Sequence, residues 1–146
     1  MYDRILIPTD GSEGAEAAAE TGLELAAVHD AAVHVVCVAE TGPLDGLRLP
    51  GDAESAADAL RSRAAEFADR IADRARERGL EVTTATPSGP PGPEILDAAE
   101  AVEADLIVMG TRGRSGLQRV ALGSVTDHVL RFGDVGVLVE SHRDEV

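Results

Sequence analysis

Five short runs rich in β-branched residues and leucine, Arg4 to Pro8, Val33 to Val38, Glu81 to Thr86, Asp105 to Met109 and Val135 to Val139, are separated by segments far too long to be hairpin turns. Antiparallel neighbours can be joined by a tight turn, whereas parallel strands need a crossover of about a dozen residues or more, usually a helix. The intervening segments carry helical patterning over Glu13 to His29, Ala53 to Arg78, Pro93 to Glu103 and Ser124 to Phe132. Strands alternating with helices predict an α/β domain whose mostly parallel sheet is covered on both faces.

The punctuation supports these boundaries. Leu60, Ala64, Phe67, Ile71 and Ala75 recur at steps of three and four, marking one buried stripe on the second helix. Gly79 stands where a helix C-cap is expected. Ser88-Gly89-Pro90-Pro91-Gly92-Pro93 reads as a rigid loop delivering Pro93 to the first turn of the third helix, with Glu94 favourable beside the N-terminus. Thr41 to Asp52, with its glycines and prolines, reads as a long mobile loop. At 146 residues and 44% hydrophobic, residues 1–146 form one domain with a sizeable core. Cys37, the single cysteine, lies in an apolar run and reads as a buried small hydrophobe. The start Met1-Tyr2-Asp3-Arg4 shows neither a basic leader nor an apolar h-region, and no run approaches the roughly 20 apolar residues of a membrane span. A cytoplasmic protein without membrane attachment is the expectation.

The chain carries 27 acidic against 13 basic residues, a net charge of −14, and every basic residue is arginine. Adaptation to a salt-rich, halophilic cytoplasm explains this, and so does a codon bias favouring arginine, alanine and glycine; the sequence leaves both open. Either way a broad nucleic-acid-binding surface is disfavoured, since such surfaces cluster positive charge. Positive charge gathers in one window: residues 110 to 131 hold Arg112, Arg114, Arg119 and Arg131 against Asp127 alone.

That window contains the chain's strongest motif. Leu106-Ile107-Val108-Met109 opens into Gly110-x2-Gly113-x9-Gly123-Ser124, followed by an apolar helical segment. Glycines let backbone approach an anion closely, and the free N–H groups and dipole of a helix start favour negative charge, so the expected ligand is a nucleotide. In open α/β sheets ligands bind beyond the carboxyl ends of strands where the strand order reverses. The first strand ends in Pro8-Thr9-Asp10-Gly11-Ser12 and the fourth in Met109-Gly110. If these strands are neighbours, Asp10 faces the glycine loop, where its carboxylate suits a ribose hydroxyl or a metal. Helix capping is the alternative role for Asp10, and it is the expected role of Ser12.

These residues resemble the universal stress proteins of the UspA type, in their ATP-binding branch, over nearly the whole chain. The resemblance rests on Gly110, Gly113, Gly123 and Ser124 at the family's spacing, on the run Gly123 to Thr126, and on Ile7-Pro8-Thr9-Asp10-Gly11-Ser12. It implies a Rossmann-like sheet of order 3-2-1-4-5, of the adenine nucleotide alpha-hydrolase type, that binds ATP or another adenine nucleotide. Pro8, Thr9 and Asp10 would line the adenosine pocket, with Asp10 on the ribose. Val38 would hold adenine through its backbone and Gly110 would pack beside the ribose. Gly113, Gly123, Ser124 and Val125 would offer N–H groups to the phosphates, with the Ser124 hydroxyl. Met109 and the loop arginines Arg112 and Arg114 complete the expected set. A Mg²⁺ or Mn²⁺ ion is implied with the triphosphate. The chain departs from the family in Gly133-Asp134-Val135-Gly136, where a proline is usual, which should shift the start of the last strand, and in Cys37, where histidine is common.

The last strand, with Val135, Val137, Leu138 and Val139, should form an apolar edge, and the strand carrying Thr83, Thr84 and Thr86 a polar one. An uncovered apolar edge invites pairing, and the resemblance agrees, so a twofold homodimer through residues 135 to 140 is expected. Catalytic groups are sparse. Without lysine there is no Walker A element, there is no His-x-x-His, Gly-x-Ser-x-Gly or Ser-Gly-Gly-x-Asp run, and His29, His34, His128 and His142 lack metal-ligand spacing. His128 reads as a surface or interface residue. The function implied is a nucleotide-binding stress-response regulator with an unknown protein partner and at most slow ATP hydrolysis. Its alternatives are a dimeric interaction module that uses the loop only structurally, and a weak ATP-hydrolysing enzyme. The charge yields a first prediction: self-repulsion is screened by salt, so the thermal midpoint should rise between low and molar KCl, and an unchanged midpoint would leave codon bias as the explanation.

Overall fold

In the computed structural model, which describes residues 1–40, 56–111 and 122–141, β1 (Arg4–Pro8) forms the centre of a parallel five-stranded sheet. On one side it pairs with β2 (Ala32–Val36), which pairs with β3 (Val82–Ala85); on the other it pairs with β4 (Leu106–Gly110), which pairs with β5 (Gly136–Glu140). The order is β3-β2-β1-β4-β5, as the resemblance implied. The connections are α1 (Glu13–His29), α2 (Ala56–Glu77), α3 (Pro91–Val102) and α4 (Ser124–Phe132).

Strict alternation in β1 sends Ile5 and Ile7 to one face and Leu6 to the other. The first face packs with Val33, Val35 and Val108 against Leu23 of α1 and Ile71 of α2. The second packs with Val36, Ile107 and Met109 against Ile95 of α3 and Val129 of α4. The predicted stripe on α2 does face this core: Ala64, Ile71 and Ala75 are buried, while Leu60 and Phe67 pack at its margin. Cys37 is buried among apolar residues, as expected. Gly79 closes α2 as anticipated, its N–H donating to the Arg76 carbonyl at 2.9 Å and the Leu80 N–H to Ala75 at 3.1 Å.

Several boundaries move. α3 begins at Pro91 rather than Pro93, because the first-turn N–H groups have no partner inside a helix and a proline that lacks one loses nothing there. Glu103 forms its C-cap in a left-handed conformation instead of its last residue. The ladder of β2 stops at Val36, two residues before the predicted end, and β3 is shorter at both ends. β5 starts at Gly136, consistent with the departure noted at Gly133 to Gly136. The loop predicted at Thr41 to Asp52, and the first residues predicted for the second helix, lie outside the described residues. Among the described residues no helix is long and apolar enough to cross a membrane.

Away from the sheet, Arg74 of α2 and Arg78 just past its end both hydrogen-bond the Glu20 carboxylate of α1. Arg74, then Arg78, holds that carboxyl below its ordinary pKa. A depressed carboxyl pKa stabilises the fold above the ordinary glutamate range of about 4.3, and the contribution disappears as pH falls through the lowered value. Glu20→Gln should therefore flatten the acid limb of the stability profile. The pair is partly solvated, so the change in urea unfolding at neutral pH should be only roughly 0.2–1 kcal/mol. Leu23→Ala, by contrast, empties a fully buried site between α1 and the sheet and should cost roughly 2–5 kcal/mol in the same assay.

Candidate functional site

Since β2 and β4 flank β1 and the chain runs away from it in opposite directions, the strand order reverses at β1, and a cleft opens beyond the carboxyl ends of β1 and β4. One wall is the turn leaving β1. The Thr9 N–H still donates to the Val36 carbonyl at 2.8 Å, which holds the turn to β2. The Thr9 hydroxyl accepts the Gly11 N–H at 3.1 Å, Asp10 Oδ1 accepts the Ser12 N–H at 3.0 Å, and Ser12 Oγ accepts the Ala15 N–H at 3.1 Å as the N-cap of α1. Ser12 is thus a cap, and Asp10 both shapes the turn and lines the cleft. Gly11 is required twice over: its φ is +82°, and a Cβ there would lie 2.5 Å from the Phe67 ring of α2.

The second wall follows β2 past its ladder. The Cys37 N–H donates to Ala85 at 3.1 Å and the Ala39 N–H to Pro87 at 2.8 Å, so the extended chain continues beside the segment leaving β3. Peptide groups alternate sides along an extended chain, which turns the N–H and C=O of Val38 the other way, toward β1 and the cleft.

The third wall joins β4 to α4. A Cβ on Gly110 would approach the Gly14 carbonyl to 3.2 Å, so the end of β4 lies close under the first turn of α1. The Gly110 carbonyl accepts the Thr126 hydroxyl at 2.8 Å, and Thr126 is only 2% exposed. The Gly123 N–H donates to the Thr111 carbonyl at 2.6 Å, so the chain that leaves at Thr111 returns to that residue. Gly123 then N-caps α4 with no side-chain cap, and the Asp127 N–H takes its carbonyl at 2.9 Å. The N–H groups of Ser124 and Val125 belong to the first turn, which has no intrahelical acceptors.

Of the residues predicted from sequence, Pro8, Thr9, Asp10, Val38, Met109, Gly110 and Val125 line this one cleft. Gly123 and Ser124 stand beside Val125 at the start of α4. Arg112, Gly113 and Arg114 lie outside the described residues. Sequence reasoning missed Glu40, Pro91, Ile95 and Thr126, which also line the cleft. Thr126 had a signal, as the final member of the Gly-Ser-Val-Thr run, and Pro91 and Ile95 become visible once the helix is started at the first proline able to occupy it. Glu40 had none beyond following Val38. His128 packs its ring on Gly92 of α3 and against Phe132, a helix-to-helix contact rather than a site residue. Among the described residues, no three His, Cys, Asp or Glu side chains are grouped to hold a metal ion.

The universal stress protein family model matches residues 1–139. The chain belongs to the universal stress protein family. It is 37% identical over 139 residues to the universal stress protein MJ0531 of Methanocaldococcus jannaschii, covering 95% of this chain and 82% of that one. The solved structure of MJ0577, from the same organism, superposes with a TM-score of 0.81 at 28% identity over 99% of each chain. An Archaeoglobus fulgidus universal stress protein solved in complex with dAMP shares the fold at a TM-score of 0.70 and 24% identity, covering 94% of this chain and 97% of that one. A universal stress protein solved in complex with cAMP does so at 0.70 and 24%, covering 96% and 97%.

The wall made by β4 and α4 depends on one buried hydroxyl. Thr126→Val keeps the shape but leaves the Gly110 carbonyl without that donor, and should lower stability by about 1–3 kcal/mol in urea unfolding.

Proposed function

We propose that this universal stress protein binds an adenine nucleotide, with ATP the first candidate, in the cleft beyond β1 and β4, and that the bound nucleotide regulates its part in a stress response. The observation that carries this reading is the convergence on one cleft of three chemically different walls. Val36, Val38, Ile95 and Met109 supply apolar lining for a flat base. The inward-turned peptide of Val38 offers a donor beside an acceptor, the complement of the ring nitrogen and amino group on one edge of adenine; guanine presents the reverse pattern there. Asp10 supplies a carboxylate for ribose hydroxyls, and the first turn of α4 supplies N–H groups and a dipole for phosphate. Two solved proteins of this fold are complexes with dAMP and cAMP, which makes AMP the second nucleotide to test.

A divalent ion accompanying a triphosphate takes most of its ligands from phosphate oxygens and water, with one or two carboxylates. Asp10 is a carboxylate of the cleft suited to that role, so Mg²⁺ or Mn²⁺ would arrive with the nucleotide rather than occupy a site of its own. The chain has no lysine to reach a terminal phosphate, which supports nucleotide binding with hydrolysis slow at most. Regulation then requires that nucleotide bind one state of the protein better than another. The partner in one such state is a second copy: β5 is the sheet edge, Val137, Leu138 and Val139 are half-buried on it, and a twofold axis lets this edge pair with itself.

Isothermal titration with Mg²⁺ and ATP at high salt tests the reading. The parent should bind ATP more tightly than GTP. Asp10→Ala should weaken ATP at least tenfold, about 1.4 kcal/mol, and Gly113→Val should weaken it further by blocking phosphate approach. A folded parent that binds neither ATP nor AMP would overturn the proposal in favour of a dimeric interaction module.

A further inference from the structure

We propose that the protein has a second small-molecule site at the end of the sheet opposite the nucleotide cleft, where a cavity between Arg4 and Glu81 takes a small zwitterion, a free α-amino acid with a short side chain. The site stands independently of the nucleotide reading.

A cavity of about 330 Å³ opens beside the amino ends of β1, β2 and β3, lined by Arg4, Ala32, His34, Glu81, Thr83 and, from the end of α3, Val102. Its volume falls at the lower end of the roughly 300–1,000 Å³ of small-molecule pockets. The lining follows from register. Arg4 lies beside Ala32, and the β2–β3 ladder that pairs Val33 with Val82 and His34 with Thr83 brings Ala32 beside Glu81 one step earlier. Side chains alternate along a strand, so this row and the row of Leu6, His34 and Thr83 share one face of the sheet. α3 packs over Leu6 on that face, whereas Thr83 stays exposed. Arg4 and Glu81 thus rise on either side of β2, about 10 Å apart at their Cα atoms, with the small Ala32 between them.

Each polar group is held by something other than its opposite number. The Arg4 guanidinium donates to the Val102 carbonyl at 3.0 Å, and its ion-pair partner is the exposed Glu103 at 3.9 Å rather than Glu81. A guanidinium carries five N–H donors, so one anchored in this way keeps others for a carboxylate. The Glu81 carbonyl accepts the Val33 N–H at 2.8 Å, which fixes the backbone that bears the carboxylate. His34 Nδ1 and the Thr83 hydroxyl share a hydrogen bond at 2.6 Å, and burial holds the imidazole below its ordinary pKa, so at neutral pH it adds a polar contact without a charge. The lining therefore sets one cation against one anion. A simple anion suits Arg4 but meets Glu81, and a simple cation suits Glu81 but meets Arg4. An α-amino acid carries both charges on one carbon and satisfies both walls.

Two-dimensional amide NMR of the full chain, titrated with L-alanine, tests the site, with N-acetyl-L-alanine and L-alaninamide as probes that each lack one charge. L-alanine should shift the Ala32, Val33, Thr83 and Val102 signals saturably, with a Kd in the millimolar range, while those of Gly110 and Val125 in the nucleotide cleft stay in place. Neither single-charge probe should saturate. Glu81→Gln leaves the backbone bond to Val33 intact and should weaken L-alanine by about tenfold or more; Arg4→Gln should weaken it at least as much. Equal saturable shifts with N-acetyl-L-alanine would reduce the cavity to an anion contact at Arg4 and overturn the proposal. So would L-alanine binding that survives Glu81→Gln unchanged, or a folded parent that shows no saturable shift with L-alanine.

Discussion

Everything in the site depends on β1 being bonded in parallel on both sides by strands that lead away from each other. The pairing of Ile5 and Leu6 with Leu106 and Ile107 on one side, and of the whole of β1 with β2 on the other, brings two distant turns to the same end of the sheet. Beyond Pro8 the two flanking chains part, and the cleft opens between them. The cleft follows from topology, and side chains only line it. The same arrangement separates the core into a layer under α1 and α2 and a layer under α3 and α4, each sealed by alternate residues of the same strands.

Much of this was legible because the signals were local. Alternating strand and helix patterns specify parallel pairing by the length of the connections, and the run Gly123 to Thr126 marks the start of α4. Strand ends were less legible. The chain from Cys37 to Ala39 remains extended and bonded to the segment after β3, so its sequence looks like strand although the ladder proper has ended. Apolar content reports burial, and burial does not stop where pairing changes. Thr126 stood in the sequence as the final member of the Gly-Ser-Val-Thr run, but its role did not, because the reach of its hydroxyl back to the carbonyl at the end of the preceding strand is a tertiary contact.

The acidic charge and the fold act on different scales. Ion pairs such as those of Arg74 and Arg78 with Glu20 tie α1 to α2 on the surface and contribute little each, because water screens them. The core owes its stability to small side chains on the helices, chiefly alanine, set against larger β-branched residues on the strands. A protein can then carry a large negative charge outside without altering how its layers meet.

The contact between Gly11 and the Phe67 ring has a consequence for how the cleft comes into being. The turn after β1 is among the first segments of the chain, yet the ring that packs against it comes from the middle of α2, after two strands and a helix. Closing so long a loop is slow compared with forming a hairpin or one turn of helix. The wall of the cleft that carries Asp10 therefore reaches its final packing only with α2 docked, and a chain cut short before α2 would keep the residues of the turn but lack the ring that packs on it.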